Sequence, residues 1–563
     1  MRPDETFLNA PGDGLSVTAY RGDGAVLLAF NLQQELTRDL AGFAILRTPP
    51  QGRPFFLKNR LSFEDPITRA SRPGQRKRTP SDQAPFQKFR WVDFPPNILP
   101  GDYAYEVTAM YFKPGGGLTS GEAVRISFEM TPEAFGNFEM GFTRGYLSSQ
   151  AYAERFKNAD IRPKGKKTAD FDTAPFARRY EWLGYHARQM IFDFLQEALA
   201  DPSITVDACC YDLDEPDFIR RLAQLGPRLR VFLDNSARHT ESDAVESQAR
   251  EILAAAAGAD HVKVGHFRRY AHNKVLIQKK DGRAIKALTG SANFTVRGLY
   301  VQANNILLFR DPIAANLYAE AFNQAFDDPS ATQKGFASSN IASGWMDIRA
   351  EGFPECSATF SPHKSYRISL ERVADEIDRA DHSVLFAIMD LDGTGPVLER
   401  IRALDKQEIF SYGVTQSATD LNFFKPGRTN GRHIPFSYLK RQAPPPFQQE
   451  WSGGAGQVVH HKFVVVDFND SDPVLFTGSS NLSAGGEEAN GDNLLAIFDR
   501  GIATAYAVEA VRLLDHYHFR AVLQVATTAK PLMLQGPGEK PEWWAPYYDE
   551  ENVKYRDRLL FSK

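Results

Sequence analysis

VVHHKFVVVD, residues 458 to 467, decides how the chain is read. A strand alternates its side chains with period two, so His460 and Lys462 face one side and His461 the other, into the lobe. The valines that follow suit a buried strand, and Asp467 closes it. A His-x-Lys pair alone is weak, because any solvated strand face can produce one. Here it is followed by FTGSSNLS, residues 476 to 483, with Gly478, Ser479 and Asn481, and then by Asn493 in GDNLLAIF.

These positions have echoes at a constant lag of 188 residues (460 against 272). His460 answers to His272, Lys462 to Lys274, Gly478 to Gly290, Ser479 to Ser291, Asn481 to Asn293, Asn493 to Asn305 and Tyr506 to Tyr318. Upstream, SVLFAIMDLDGTGPVLERIRAL (383–404) mirrors VDACCYDLDEPDFIRRLAQL (206–225), each an apolar strand running into a helix. One lag across so many positions marks a duplicated unit. The alternation of strand and helix from about 140 onward is βαβ grammar, which predicts an α/β fold with mostly parallel central sheets. The halves are expected over 140–330 and 345–527, joined by a linker near 328–344.

Residues 1–131 read differently. GAVLLAFNL, AGFAILRTP, KFRWVDFP and YAYEVTAMYF are short β-rich runs broken by Gly and Pro. Their number and turn spacing resemble a fibronectin type III or immunoglobulin-like sandwich, so an N-terminal all-β sandwich is expected. The tail, 528–563, carries Trp543, Trp544, Tyr547 and Tyr548 and is expected to pack back on the body.

With 563 residues the chain is too long for one core. A net charge of −4 leaves no global basic field, so contact with a polyanion must rest on local patches. Three cysteines, Cys209, Cys210 and Cys356, make no disulfide framework. No basic stretch leads into an apolar leader at the start, and no run of 18 apolar residues occurs, so a cytoplasmic protein without a transmembrane segment is expected. Export by a route that reads no cleavable signal stays open.

The paired H-x-K and G-S-x-N motifs, in order and on the expected strands, resemble those of the phospholipase D superfamily, the HKD phosphodiesterases, over roughly 145–527. The resemblance implies a two-lobed fold with one active site between the lobes. It implies phosphodiester hydrolysis or transfer with no metal and no cofactor. One histidine attacks phosphorus to form a phosphohistidine, and the other protonates the leaving oxygen and then activates water. His272, His460, Lys274, Lys462, Asn293 and Asn481 would carry the reaction, with Ser291, Ser479, Asp492, Asp467, Asn305 and Asn493 in support. A monomer is sufficient for a complete site.

Two departures stand out. An acid often precedes the downstream Asn in this family; the second half has Asp492, the first Asn304. That difference favours His460 as nucleophile, whereas family habit favours His272, and both stay open. The family also places Asp seven residues after the His; Asp467 fits, but the first half has Lys279, with Asp281 two residues late. The Asp is a structural contact at the strand end. Asp212 and Asp390 read as structural, N-cap-like residues, and His239 and His266 as surface residues. The His460–His461 pair has no carboxylate or Cys set at ligand spacing, which argues against a metal.

Residues 421–449 hold Lys425, Arg428 and Arg432 among Phe and Tyr residues and no acid, a composition suited to single-stranded nucleic acid. Arg268 and Arg269 occupy the approach to the first motif, and RASRPGQRKR (69–78) reads as a basic, mobile loop. Nucleic acid is the favoured substrate. A phospholipase D or phosphatidyl transferase on membrane lipids, with peripheral membrane contact, is the alternative. A non-catalytic phosphodiester-binding protein is a third.

Overall fold

The computed structural model describes residues 7–71, 77–130, 134–165, 168–236, 239, 244–389, 393–404, 407–416, 431–435 and 458–562. Two eight-stranded sheets dominate it. The first runs, edge to edge, Ala134–Phe135, Phe138–Phe142, Asn305–Phe309, Arg283–Gly290, Lys274–Lys280, Ile204–Cys210, Leu229–Asp234 and Val262–Gly265. The second runs Met346–Ile348, Cys356–Phe360, Asn493–Ile497, Val474–Gly478, Lys462–Val466, Ser383–Ile388, Phe410–Thr415 and Gly431–Pro435. The strand order is the same in both.

The expected mostly parallel sheets are corrected here. In each sheet only the last three strands run parallel to one another, and the other pairings are antiparallel. The physical reason is the connection. Helices Pro216–Gln224 and Val245–Ala257 carry the chain back over the sheet, as parallel pairing needs. The lysine-bearing strand instead folds straight back into Arg283–Gly290 through Asp281 and Gly282, both at positive φ (51° and 76°). So tight a hairpin forces antiparallel neighbours.

N-terminal to these sheets lie two four-stranded antiparallel sheets, one built on Leu15–Gly22 and Ala25–Leu32, the other on Leu40–Thr48 and Asp102–Phe112. Val17, Leu28, Phe43, Tyr105 and Val107 fill the space between them. Tyr547 belongs to that core, and Trp543 donates its indole N–H to the carbonyl of Leu40 (2.9 Å). The segment 328–344 is packed rather than open, with Phe336, Ile341 and Ala342 buried. In the basic loop, residues 72–76 lie outside the described residues, and Arg78 pairs with Glu154 (2.5 Å). Among the described residues no helix is long and apolar enough to cross a membrane.

Two buried charge clusters lock the β region to the rest. Arg90 donates to Asp557 through Nε (2.9 Å) and to Asp515 through Nη1 (2.7 Å). His186 sits between Asp23 (2.8 Å) and Glu139 (3.2 Å). Burial alone would strip its proton, but Asp23 and Glu139 raise its pKa to about 10.

Candidate active site

The lysine-bearing strands, Lys274–Lys280 and Lys462–Val466, occupy equivalent central positions in the two sheets. Each histidine lies two residues before its strand begins, and each lysine curls back so that its Nζ donates to the carbonyl of its own histidine, His272 for Lys274 and His460 for Lys462. All four side chains are buried. The halves meet at this point. Ala303 donates its N–H to the carbonyl of Val458 (2.8 Å) and accepts from the N–H of His460 (3.2 Å).

The partners of the two imidazoles cross between halves. His272 Nδ1 lies 2.6 Å from Oδ1 of Asp492, and His460 Nδ1 lies 2.8 Å from Oδ1 of Asn304. The serine contacts match. Ser479 donates its hydroxyl to Asp492 and Ser291 donates to Asn304, both at 2.8 Å. Asn304 Nδ2 donates to the carbonyl of Gly298 (2.8 Å), which turns its oxygen toward His460. Both rings therefore keep the proton on Nδ1 and present Nε2 outward. The expectation that Asp492 supports His460 is corrected: the acid backs His272, because the halves face each other rather than stack.

Electrostatics separate the two rings. Burial lowers the pKa of His272, while Asp492 opposes that shift. His460 is pushed well below the ordinary imidazole value by burial and by Lys462 and Lys274. Burial lowers Lys274 to about 8, and Lys462 is driven well below its usual range by burial and the neighbouring charge of Lys274. Such crowded basic groups gain from an anion placed among them.

Behind the histidines, amides stitch the halves together. Asn305 donates to Thr477 Oγ1 (3.0 Å), and Asn493 donates to Asn273 Oδ1 (2.8 Å). Gly290 and Gly478 have φ of 144° and 147°, and a Cβ at either would collide with the carbonyl oxygen of Asn305 or Asn493. Small residues before Ser291 and Ser479 are thus a steric requirement.

A family model described as the cardiolipin synthase, PLD-like domain, matches residues 373–514. Another, the NgoFVII restriction endonuclease N-terminal PLD domain, matches residues 236–330. The chain carries phospholipase D-like domains. Each matched phospholipase D-like segment contains one histidine–lysine pair. Similar solved structures include phosphatidylserine synthase from Haemophilus influenzae Rd KW20, at 12% identity over 68% of this chain and 94% of that one, with a TM-score of 0.42. Polyphosphate kinase from Porphyromonas gingivalis is 12% identical over 68% of this chain and 55% of that one, with a TM-score of 0.39, so the chain spans about half of that kinase. Yeast tyrosyl-DNA phosphodiesterase is 13% identical over 55% of this chain and 88% of that one, with a TM-score of 0.30. No curated protein matches the chain.

Not every residue singled out in the sequence lies at the site of these phospholipase D-like domains. Asp467 accepts the backbone N–H groups of Asp381, His382 and Ser383 (2.7–2.9 Å), clamping the start of a strand. Lys279, at the matching position, instead pairs with Asp207. Arg269 is committed to Asn490 (2.8 Å) across the junction of the halves, while Arg268 is exposed. Arg432 belongs to an edge strand and contacts His518 (3.1 Å), three strands from Lys462. Lys425, Arg428 and Asp390 lie outside the described residues. His461 turns away toward Glu509 (3.2 Å).

Three contributors escaped the sequence reading. Tyr211 sets its ring edge-on to His272 (centroids 4.7 Å apart), with Lys274 Nζ 5.0 Å from its ring centre. Asp212 does not cap a helix; that task falls to Glu215, which accepts from the N–H of Phe218 (2.6 Å). Asp212 instead accepts from Nδ2 of Asn293 (2.6 Å). His239 is not a surface residue but is buried between Asp212 and Asp234, because two carboxylates compensate its desolvation. The one legible signal was that Tyr211 and Asp212 directly extend the strand beside Lys274.

Proposed function

We propose that the chain is a metal-independent phosphodiesterase, a hydrolase built from a duplicated phospholipase D-like unit and working through a phosphohistidine on His272. The N-terminal sandwich would be fibronectin type III-like, and the tail would brace it. The observation that carries the mechanism is the crossed pairing of His272 with Asp492 and of His460 with Asn304. A histidine that becomes phosphorylated turns into a cation, and a fixed carboxylate on its far nitrogen stabilises that state. A histidine that must shed its proton is better backed by a neutral amide.

In the first step Nε2 of His272 attacks phosphorus, the P–O bond to the leaving group breaks, and the leaving oxygen takes the proton from Nε2 of His460. The negative charge of the diester raises the proton affinity of His460 when that proton is needed. In the second step His460 removes a proton from water, the oxygen attacks phosphorus, and the P–N bond breaks to restore His272. An alcohol in place of water would give transfer. Lys274 and Lys462 neutralise the non-bridging oxygens, and Asn293 and Asn481 orient them.

Nucleic acid is the substrate we favour. The support is the acid-free, basic and aromatic composition of residues 421–449, together with the restriction endonuclease domain matched over 236–330. The match to a cardiolipin synthase domain supports the lipid alternative. Incubation with single- and double-stranded DNA, RNA and phospholipid vesicles in excess EDTA separates them. Cleavage of nucleic acid is the expected outcome; headgroup release alone would assign the site to lipid, and loss of all cleavage in EDTA would sink the metal-free mechanism.

Two further results follow from the site. Asp492→Asn keeps the shape but removes the charge, and should lower kcat by as much as about 10⁴-fold, the scale seen when a histidine loses its orienting carboxylate; steady-state kinetics on a chromogenic diester check this. The free enzyme needs Lys274 charged, and its pKa is about 8. The protonated fraction falls above that value, so kcat/KM should fall about tenfold more steeply per pH unit above 8 than just below it. A pH profile flat to 10 would contradict it.

A further inference from the structure

His239 is a buried histidine beside the site that the mechanism leaves unused. Its Nε2 lies 2.8 Å from Oδ1 of Asp212, and its Nδ1 lies 2.9 Å from Oδ1 of Asp234. The outer oxygens of the two acids reach the site from opposite directions. Asp212 Oδ2 accepts from Nδ2 of Asn293 (2.6 Å), and Asp234 Oδ2 accepts from the N–H of Ala271 (2.6 Å), the residue before His272. An unbroken chain therefore runs from Asn293 through Asp212, His239 and Asp234 to the main chain that presents His272.

The second half performs part of this task with a neutral group. Gln416, which follows the strand equivalent to the one ending at Asp234, accepts from the N–H groups of Val458 (2.7 Å) and Val459 (3.0 Å), just before His460. Gln416 itself carries no charge. In the first half two carboxylates are buried, and a third, Glu246, faces the same ring from the helix Val245–Ala257. Burial and the repulsion of Asp212 lift Glu246 to about 7, while Lys274 and Arg297 also act on Asp212. Asp212, His239 and Glu246 bring ligand-type atoms within 4.8 Å of one another, but both ring nitrogens of His239 already face carboxylates. The arrangement is that of a tie, not of a metal site.

We propose that His239 is a positioning residue that couples the Asn293 amide to the placement of His272, so that substrate oxygens and nucleophile are held in one frame. Its effect on rate rests on the phosphodiesterase reading; its effect on geometry does not. Removing the ring leaves Asp212 and Asp234 without their shared cation. Asp212 is then free to swing toward Lys274, taking Asn293 with it. The ring itself carries both protons, since burial lowers its pKa but Asp212 and Asp234 raise it to about 10.

The test uses the full-length chain. In the wild type, ¹⁵N signals of the His239 imidazole at pH 8 should be those of a doubly protonated ring, when ordinary histidines are neutral. His239→Ala should shift the Asn293 side-chain amide and the Ala271 backbone amide together. With bis(p-nitrophenyl) phosphate, normalised to active sites by the p-nitrophenol burst, His239→Ala should lose about 10–100-fold in kcat, the range for removing an orienting partner. His239→Lys, which returns a cation with several donors, should recover part of that loss. A neutral imidazole at pH 8, or unmoved Asn293 and Ala271 signals, overturns the tie. Unchanged kcat per active site overturns its role in catalysis. If wild-type protein cleaves nothing while the amide signals still move together, the phosphodiesterase reading fails and the tie survives. If His239→Ala does not fold, the wild-type imidazole signals and His239→Lys decide.

Discussion

His272→Ala should abolish turnover of every phosphodiester, by about 10⁴-fold or more, whatever the leaving group. His460→Ala should behave differently. A general acid contributes about 10²–10⁴-fold, and most where the leaving oxygen is a poor one. With a p-nitrophenyl leaving group, which departs without a proton, His460→Ala should form the covalent intermediate at a rate near that of the wild type and then stall, because the base for water is missing. The phosphoryl group, still carrying its remaining ester substituent, should accumulate on His272 and be found by mass spectrometry on the peptide containing residues 271–274. The same adduct on His460 instead would reverse the roles. The prediction depends on which half supplies the carboxylate, and the 2.6 Å contact from His272 to Asp492 places it on His272.

Arg90→Ala should be the most destabilising single change outside the site, costing about 3–5 kcal/mol, the scale for removing one partner of a buried ion pair. The guanidinium is almost fully buried and satisfies two carboxylates from different helices, Asp515 on Arg500–Val525 and Asp557 on Val553–Phe561. The hydroxyl of Tyr412 also donates to Asp557. Truncation takes the guanidinium from Asp557 and leaves Asp515 only the more distant Lys88 (3.7 Å) where the β region meets the second sheet. Urea unfolding should show an early transition in the variant, and Arg90→Met with Asp515→Asn and Asp557→Asn should regain much of the loss. A midpoint unchanged in Arg90→Ala would refute the assignment. The cluster also sets an acid limit. Burial raises Asp515, but Arg90 outweighs it and holds the pKa at about 2. The stabilisation is complete above about pH 4, the unfolded value, and fades as pH falls toward 2.

The lysine-bearing strands of the site were legible because they are local. The H-x-K spacing keeps His460 close to Lys462 although the strand begins only at Lys462, and the lag of 188 residues transfers that pair to His272 and Lys274. What stayed hidden is long-range. A lag pairs equivalent residues, and equivalence is not contact: His272 meets Asp492, 220 positions away, while Asn304 meets His460, 156 away. Helical crossovers announce parallel strands, but the hairpin at Asp281–Gly282 is short, so the antiparallel centre of the first sheet went unread. Arg90 in KFRWVDFP looks like the wet face of a strand until Asp515 and Asp557 arrive from the other end of the chain. His239 sits in a polar stretch, and nothing nearby reveals that two acids enclose it.

The crossed pairing has a consequence for symmetry. Two identical chains meeting about a twofold axis must give both histidines the same backing group, so each would be suited to attack and to acid catalysis alike. A single chain is free of that constraint. Here Asn304 and Asp492 occupy matching places with matching serines, yet one is an amide and the other a carboxylate. A difference this small between halves of the same strand order breaks the degeneracy of the two imidazoles and, on the proposed mechanism, would give the reaction a direction from one half to the other. A bound diester would then have one productive orientation instead of two, and the half of the molecule that holds the leaving group could diverge from the half that holds the retained phosphoryl group.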